Sequence, residues 1–408
     1  MKLRTFFFAV LFLPMTLTAA DRLSFGGYYK NFSLFLHLPS GSSTAGLQQQ
    51  DFGAVYNRLR LQADFSFHQN LSFHAAYQPV IRIQDPLLFD NSIFFNEIES
   101  GAYRVDDLQS RLYPAGKKQQ NSFGISQNLD RLFMQWRLAF ADVYLGRQAV
   151  AWGSARVINP TDVIAPYAFD ELDQEERRGV DALRVRIPLG MLSELDFGYL
   201  PGSDFQWRNS AVFIRSRFYV KQNDVAFLAM EFRENLLIGL DLARSIGGAG
   251  SWLETAYVFP ETFTGSANRP DGYLRLSIGA DYSFTGEIYG FMEYHYNGAG
   301  ENRPEYYLKN FSKTAYRQGA VYLLGSHYLM PGISYQATPL LGTFLQAIWN
   351  VPDGSFYFAP SVEYNIAENI YLAGGAFIGL GTAPAGRQLK SEFGSYPDTI
   401  YSSFRVYF

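Results

Sequence analysis

The chain contains no cysteine among its 408 residues. This absence excludes disulfide bonds, cysteine metal sites and thiol nucleophiles together. Charged residues are also scarce, at 18% of the chain, against about 25% in average soluble domains. The formal net charge is −4 and the isoelectric point is near 5.8, so the charge balance does not predict binding to a nucleic acid.

Long apolar runs are missing as well, except at the extreme N-terminus. A membrane-spanning helix needs about 18 consecutive apolar residues, and no later run approaches that length, which excludes a helical membrane protein. Aromatic residues, by contrast, are abundant. The chain has 28 Tyr, 36 Phe and 5 Trp, which together make up 17% of its residues.

The N-terminus has the layout of an export signal. Lys2 and Arg4 precede the apolar segment 6–17, and Thr18-Ala19-Ala20 forms a small-residue cleavage site. This order predicts a cleaved signal peptide over residues 1–20. Residues 21–408 are then the mature chain, and we expect them to form one domain.

The mature chain alternates apolar and polar residues with a period of two. In the segment 272–285, Leu274, Leu276 and Ile278 fall on one face, and Arg275 and Ser277 fall on the other. Segment 55–67 and several others repeat the pattern, which is typical of β-strands with one apolar face. We count about eighteen strands, with a range of 16–20.

The connections between these strands alternate between short and long. Long loops are predicted at 83–128, 153–178 and 298–324, and an extra hairpin in the first or the last would change the strand count. A soluble sandwich has no reason to show this asymmetry, whereas outer-membrane barrels have short periplasmic turns and long external loops. The predicted fold is therefore all-β: a transmembrane antiparallel β-barrel.

The last strand ends on an aromatic residue. Ile400, Phe404, Val406 and Phe408 share one face up to the terminal carboxylate. This pattern resembles the C-terminal signature of Gram-negative outer-membrane β-barrel proteins. The resemblance implies insertion into outer-membrane lipid, with Phe408 as an assembly signal for periplasmic chaperones and the barrel assembly machinery.

A second block, at 146–186, reads Gly146-Arg147-Gln148, Trp152-Gly153, Asn159-Pro160-Thr161-Asp162, an acidic stretch over 170–176, and Arg177-Arg178-Gly179-Val180-Asp181. It is similar to a block of porin-like outer-membrane proteins of proteobacteria, and some barrels of that general kind act as sleeves for multihaem cytochromes. Asn159 before Pro160 suits the start of a helix, so we expect the loop 153–178 to be folded. The alternative is an ordinary external loop whose acidic residues face water.

The sequence offers little for catalysis. Its five histidines are scattered without a metal-ligand pair. Glu293, His295 and His327 could meet at the barrel rim as a hydrolase site, but lumen-facing polar residues are the better interpretation. The acidic run 170–176 could hold Ca²⁺, although a solvated loop is the better explanation. We predict no catalytic residue, no metal and no cofactor.

The predicted function is passive diffusion of small hydrophilic solutes or ions through a water-filled lumen. A structural sleeve around a periplasmic or multihaem cytochrome is the first alternative, and an outer-membrane hydrolase is the second. The sequence does not name the solute, and it leaves open whether the barrel forms a homo-oligomer.

Arginine dominates the predicted lumen face, where its planar, permanently charged group suits a pore wall. We hypothesise a constriction in which these arginines face carboxylates of an inward-folded loop. The alternative is that neighbouring acids neutralise the arginines locally. The predicted pore-lining residues are Arg58, Arg60, Asp64, Arg131, Arg137, Arg184, Arg186, Arg215, Arg217, Arg275, Asp281 and Glu293. The predicted constriction-loop residues are Asn159, Asp162, Asp170, Glu171 and Asp173.

Overall fold

A computed structural model describes residues 22–39, 49–88, 103–106, 110–114, 121–386 and 388–408. The predicted signal peptide lies outside the described residues. Strands make up most of the described chain. They are β1 (Leu23–His37), β2 (Asp51–His68), β3 (Leu71–Gln84), β4 (Ser110–Tyr113), β5 (Phe123–Arg137), β6 (Asp142–Gln148), β7 (Val180–Pro188), β8 (Glu194–Leu200), β9 (Ala211–Val220), β10 (Asn223–Phe232), β11 (Asn235–Ile246), β12 (Ala249–Phe259), β13 (Tyr273–Ser283), β14 (Ile288–Asn297), β15 (His327–Thr338), β16 (Leu341–Asn350), β17 (Ser355–Ala367), β18 (Ile370–Leu380) and β19 (Asp398–Tyr407).

Eighteen of these strands close into one antiparallel barrel. Each pairs with its neighbours in chain order, and β19 returns to pair with β1. The short strand β4 is the exception. It pairs with the first part of β5, whereas β6 pairs with the last part. The predicted barrel is confirmed, and β4 is the only strand that lies wholly within the described part of loop 83–128.

The barrel turns its apolar face outward. On β13 the side chains of Leu274 and Ile278 are 37% and 45% exposed, whereas the intervening Arg275 and Ser277 are buried. The same division holds on β15, where Ile333 and Tyr335 are exposed and Ser334 is half-buried. Apolar side chains outside and polar ones inside are the arrangement of a barrel embedded in lipid.

The long loops contain little regular structure. Two short helices, α1 (Tyr307–Asn310) and α2 (Thr314–Gln318), lie between β14 and β15. No described helix has the length and apolar character needed to cross a bilayer. The helix predicted at Asn159-Pro160 is wrong: a single turn forms there, with the Asp162 amide donating to the Asn159 carbonyl at 3.2 Å.

Part of the lumen is filled by the chain itself. Trp152 and Val163, from the loop after β6, are buried in a cluster with wall residues such as Phe213. Phe169 from the same loop packs with Phe393 and with Tyr357 of β17. Loops therefore fold inward, and the barrel's inner face becomes apolar where they pack.

The two ends of the described chain meet at the seam of the barrel. The Phe408 amide donates to the Gly27 carbonyl at 3.0 Å, and the Gly27 amide donates to a main-chain oxygen of Phe408 at 2.8 Å. A Cβ atom at position 27 would lie 2.0 Å from the Arg60 carbonyl oxygen. Only glycine permits such a close approach of the backbones of β1 and β2.

Candidate pore constriction

The segment between β6 and β7, residues 149–179, crosses the lumen and is called here the crossing loop. Near its start, the Ser154 hydroxyl donates to Asp241 on β11. Near its end, Asp173 accepts two hydrogen bonds from Lys30 on β1. In a ring of eighteen strands, β1 and β11 are nine strands apart in either direction. The crossing loop therefore contacts opposite walls of the barrel.

The end of the crossing loop is held by positive charges. Lys30 Nζ lies 2.9 Å from Asp173 Oδ1 and 2.7 Å from Glu175 Oε2, and Arg58 lies 2.8 Å from Asp173 Oδ2. Arg405 also pairs with Glu175, at 2.5 Å. These cations belong to a basic wall made of Lys30, Arg58, Arg60, Arg131 and Arg405.

Asp130 on β5 is a wall carboxylate that also takes part in the contact between the crossing loop and the basic wall. Its carboxylate lies 2.7 Å from Arg60 and 2.6 Å from Arg131, and it accepts a hydrogen bond from the Gly179 amide at 3.0 Å. Glu176 of the crossing loop lies within 3.6 Å of the same two arginines. Each cation of the basic wall is thus in direct contact with a carboxylate rather than facing one across an open gap.

These contacts alter the ionisation of the loop acids. Burial by itself would raise the pKa of Glu175, but hydrogen bonds from Lys30, Tyr407 and Arg405 outweigh it and hold that pKa below its usual value. Burial raises the pKa of Asp162, although Arg177 lies 3.2 Å away and opposes the rise. Of the other predicted loop residues, Asp170 and Glu171 are exposed, and Asn159 is half-buried.

The remaining predicted pore-lining residues occupy several environments. Arg184 pairs with Asp196 at 2.6 Å and Arg186 with Glu194 at 2.5 Å, both across adjacent strands. Asp64 pairs with His74. Local neutralisation, the alternative weighed above, describes these arginines better than an open electrostatic field does.

Three further predicted residues lie against the crossing loop. Arg275 and Glu293 are buried, and Asp281 pairs with Arg156 at 2.6 Å.

The last predicted pore-lining arginines are more accessible to solvent. Arg137 and Arg217 are exposed, and Arg215 is half-buried. Among the described residues neither Arg215 nor Arg217 has a carboxylate within 4.0 Å. That these residues line a conducting path stays a prediction.

Sequence reasoning missed several residues of the constriction. Lys30 and Arg405 lie on inward-facing strand positions, so the alternation itself could have identified them. Glu175 and Glu176 were visible only as members of an acidic run. Asp130 was hidden by a bulge, where Ala76 pairs with Arg131 but Tyr77 pairs with Leu129.

A cavity of about 310 Å³ adjoins the crossing loop. Arg156, Tyr167 and Arg177 line it from the loop, and Arg275, Tyr322 and Gln346 line it from the wall and an external loop. Arginine, tyrosine and glutamine side chains give it a polar lining that can hydrogen-bond to a small solute.

The structure separates the histidines considered for catalysis. His295 is buried and hydrogen-bonds to Ser277 at 2.9 Å on the inner side. His327 hydrogen-bonds to Tyr294 at 2.8 Å. His327 and Tyr294 both occupy outward-facing positions of their strands. The described residues contain no cluster of His, Asp or Glu suited to a metal ion.

Comparison with known proteins relates the chain to solved porin structures by fold alone. No protein-family profile and no curated protein sequence matches it. The outer membrane protein OpdK from Pseudomonas aeruginosa superposes with a TM-score of 0.58 at 8% identity, covering 95% of this chain and 99% of that one. OccK9 (OpdG) from the same organism gives 0.58 at 10% identity, covering 96% and 100%.

A third comparison agrees with these two. A BenF-like porin from Pseudomonas fluorescens Pf-5 gives a TM-score of 0.54 at 11% identity, covering 95% of this chain and 99% of that chain. All three superpositions cover at least 95% of this chain. The chain has the fold of the Gram-negative outer-membrane porins.

Proposed function

We propose that the protein is an outer-membrane channel through which small hydrophilic solutes diffuse passively. The observation that carries this proposal is the closed ring of eighteen strands with apolar side chains outside and ionisable ones inside. A barrel of sixteen to eighteen strands is wide enough to hold an aqueous path. The fold shared with solved porins supports the same function.

The crossing loop would set the size limit of this channel. It reaches opposite walls, and ion pairs and hydrogen bonds hold it at both ends. The five cations of the basic wall are balanced by five carboxylates, so their charge contributes little to selectivity. These carboxylates are Asp130, Asp173, Glu175, Glu176 and Glu363. Arg215 and Arg217, which have no such partner among the described residues, are the stronger candidates for a preference for anions.

The proposed location is the outer membrane. The outward apolar face supplies the contact with lipid. Phe408, whose backbone hydrogen-bonds to Gly27 at the seam, is the proposed assembly signal. Export by the N-terminal segment and recognition by periplasmic chaperones remain part of the proposal.

Two alternatives fit the lumen less well. A sleeve for a cytochrome needs free space inside the barrel, whereas Trp152 and Phe169 of the crossing loop are buried there with wall residues. A rim hydrolase would need histidines that act together, and His295 and His327 lie on opposite faces of the sheet. We therefore favour the channel.

Conductance of the purified protein in planar bilayers tests the proposal. We expect discrete current steps, together with swelling of liposomes in isotonic solutions of small sugars. Protein that is heat-unfolded before reconstitution provides the control. Folded, membrane-inserted protein that neither conducts nor permits swelling would refute the channel, and co-purification with a haem-absorbing partner would favour the sleeve.

A further inference from the structure

Two glutamates on the inner wall hold the crossing loop by its backbone. Glu254 on β12 and Glu293 on β14 are both fully buried. Among the described residues, neither has a Lys or Arg nitrogen within 4.0 Å. A buried carboxylate without a cation must be stabilised by hydrogen bonds, so the donors around these two groups are informative.

The donors come mainly from one short stretch of the crossing loop. Glu254 Oε2 accepts from the amides of Ser154 and Ala155, both at 3.1 Å. Glu254 Oε1 accepts from the Thr161 amide at 2.9 Å and from its hydroxyl at 2.6 Å. With four donors around two oxygens, the carboxylate is used as an acceptor on both sides.

Glu293 repeats the arrangement two strands away. Its Oε2 accepts from the Arg156 amide at 2.7 Å, the Val157 amide at 3.4 Å and the Trp252 indole at 3.0 Å. Its Oε1 accepts from the Ile158 amide at 3.0 Å. Together the two glutamates bind the amides of residues 154–158 and 161, while position 160 is a proline and has no amide hydrogen.

The loop is shaped to approach these carboxylates closely. Gly153 has φ +117°, and a Cβ atom there would lie 2.8 Å from Glu254 Oε2 and 2.3 Å from Asn159 Oδ1. Glycine is therefore required at the residue that brings the chain onto Glu254. From the wall, the Ser277 hydroxyl donates to the Ile158 carbonyl at 2.7 Å.

We propose that Glu254 and Glu293 are positioning residues that hold segment 154–161 against the wall formed by β11 to β14, and so keep the proposed channel open beside it. This inference rests on the proposed function. The barrel closes through strand pairing that does not involve these side chains, so their role is to fix the loop rather than the wall.

Thiol accessibility tests the positioning directly, because the chain has no other cysteine. Ala155→Cys places a thiol at a buried residue whose amide binds Glu254. We expect slow reaction with a sulfonate-bearing methanethiosulfonate reagent in this background. Adding Glu254→Gln and Glu293→Gln should increase the rate of thiol modification about ten-fold. Each glutamine side chain places its own N–H donors against backbone N–H donors of the crossing loop, so the loop opens locally more easily.

Channel recordings supply the second readout. The double glutamine variant should close spontaneously about ten-fold more often than the parent, because the loop can leave the wall. Gly153→Ala should act in the same direction from the loop side. The matched controls are Glu287→Gln and Gly286→Ala, which lie next to each other in a turn. The Cβ added at position 286 meets no atom within 4 Å. Neither control should change the rate of thiol modification or the rate of spontaneous closure.

The outcomes separate this inference from the proposed function. Unchanged thiol reactivity in the folded double variant would overturn the positioning role, whether or not the protein conducts. Loss of heat-modifiable gel mobility in the double variant would overturn it too, because the glutamates would then serve barrel closure. A parent protein that does not conduct, with accelerated thiol modification in the variant, would refute the channel but keep the positioning role.

Discussion

Lys30 and Asp173 lie 143 positions apart in the chain, and the lysine Nζ donates to both carboxylate oxygens of the aspartate, at 2.9 and 3.0 Å. The lysine side chain is completely buried, and that of the aspartate is 7% exposed. Their contact joins the first strand of the barrel to the end of the crossing loop.

This buried pair should be energetically coupled. In a double-mutant cycle of Lys30→Met and Asp173→Asn, we expect a coupling energy of about 0.5–3 kcal/mol, because breaking a buried pair leaves an uncompensated charge. Urea unfolding in detergent micelles measures it. The exposed pair Arg303–Glu305 is the control and should couple by less than about 1 kcal/mol. Equal coupling in both cycles would contradict the buried geometry.

The outer face of β15 should reject charge. Ile333→Arg places a cation in lipid, which costs roughly 2–4 kcal/mol near the middle of the bilayer, so folding into liposomes should fall. Ser334→Arg, on the inner face next to it, should fold normally. Heat-modifiable gel mobility measures both. Impaired folding of Ser334→Arg alone would mean that the faces are reversed.

Arg215 and Arg217 should influence ion selectivity. Replacing both with Ser should move the zero-current potential toward cations in a salt gradient, since two positive charges are lost whose cross-strand neighbours Asp196 and Glu194 already pair with Arg184 and Arg186. The shift should shrink at 1 M salt, where the screening length is about 3 Å. The double variant Arg303→Ser with Glu305→Ser removes an exposed neutral pair and should leave the potential unchanged. No shift in the first variant would exclude these arginines from the conducting path.

The external loop around Glu392 should respond to pH. Burial is the main reason that the pKa of Glu392 rises to about 7, and the charge of nearby Asp353 adds to it. The folded state therefore keeps its proton on Glu392 up to a higher pH than the unfolded chain does. Protonation stabilises the folded loop, and this stabilisation is complete below about pH 4.5. It is lost as the pH rises through about 7.

Limited proteolysis of the loop between β18 and β19 reports this effect. Cleavage should be several-fold faster at pH 8 than at pH 5.5, after correction for the activity of the protease on an unfolded substrate. Glu392→Gln, which cannot ionise, should remove the difference, and Glu305→Gln serves as an exposed control. A pH dependence that persists in Glu392→Gln would assign it to another group.

Phe408 should be needed for efficient assembly. Its deletion removes the two backbone hydrogen bonds with Gly27 that join β19 to β1 and the aromatic side chain that the assembly machinery is proposed to recognise. Outer-membrane levels should fall and unfolded chain should accumulate in the periplasm, as immunoblots of fractionated cells would show. Phe408→Trp retains both features and should behave normally. Normal levels of the deletion variant would argue against the assembly signal.

The strands could be predicted from the sequence because the alternation of apolar and polar residues is a local property. The site residues were harder to predict. The parity of β13 assigned Leu274 and Arg275 to opposite faces without any tertiary information. The same parity fails at Asp130, since the bulge opposite Ala76 and Tyr77 turns Asp130 and Arg131 to the same side. Sequence also gave no means to decide where the crossing loop docks, because backbone amides carry its contacts with Glu254 and Glu293 and every residue type except proline has one.

The crossing loop has a mechanical consequence for the barrel. A tube of hydrogen-bonded strands can flatten into an ellipse with little change in its strand pairing, and lateral pressure from a membrane acts in that direction. Residues 154 and 173 tie β11 to β1 across a full diameter. Flattening along that diameter would compress the loop, and flattening at right angles to it would stretch the contacts at both ends. We therefore expect the crossing loop to resist flattening of the barrel in both directions.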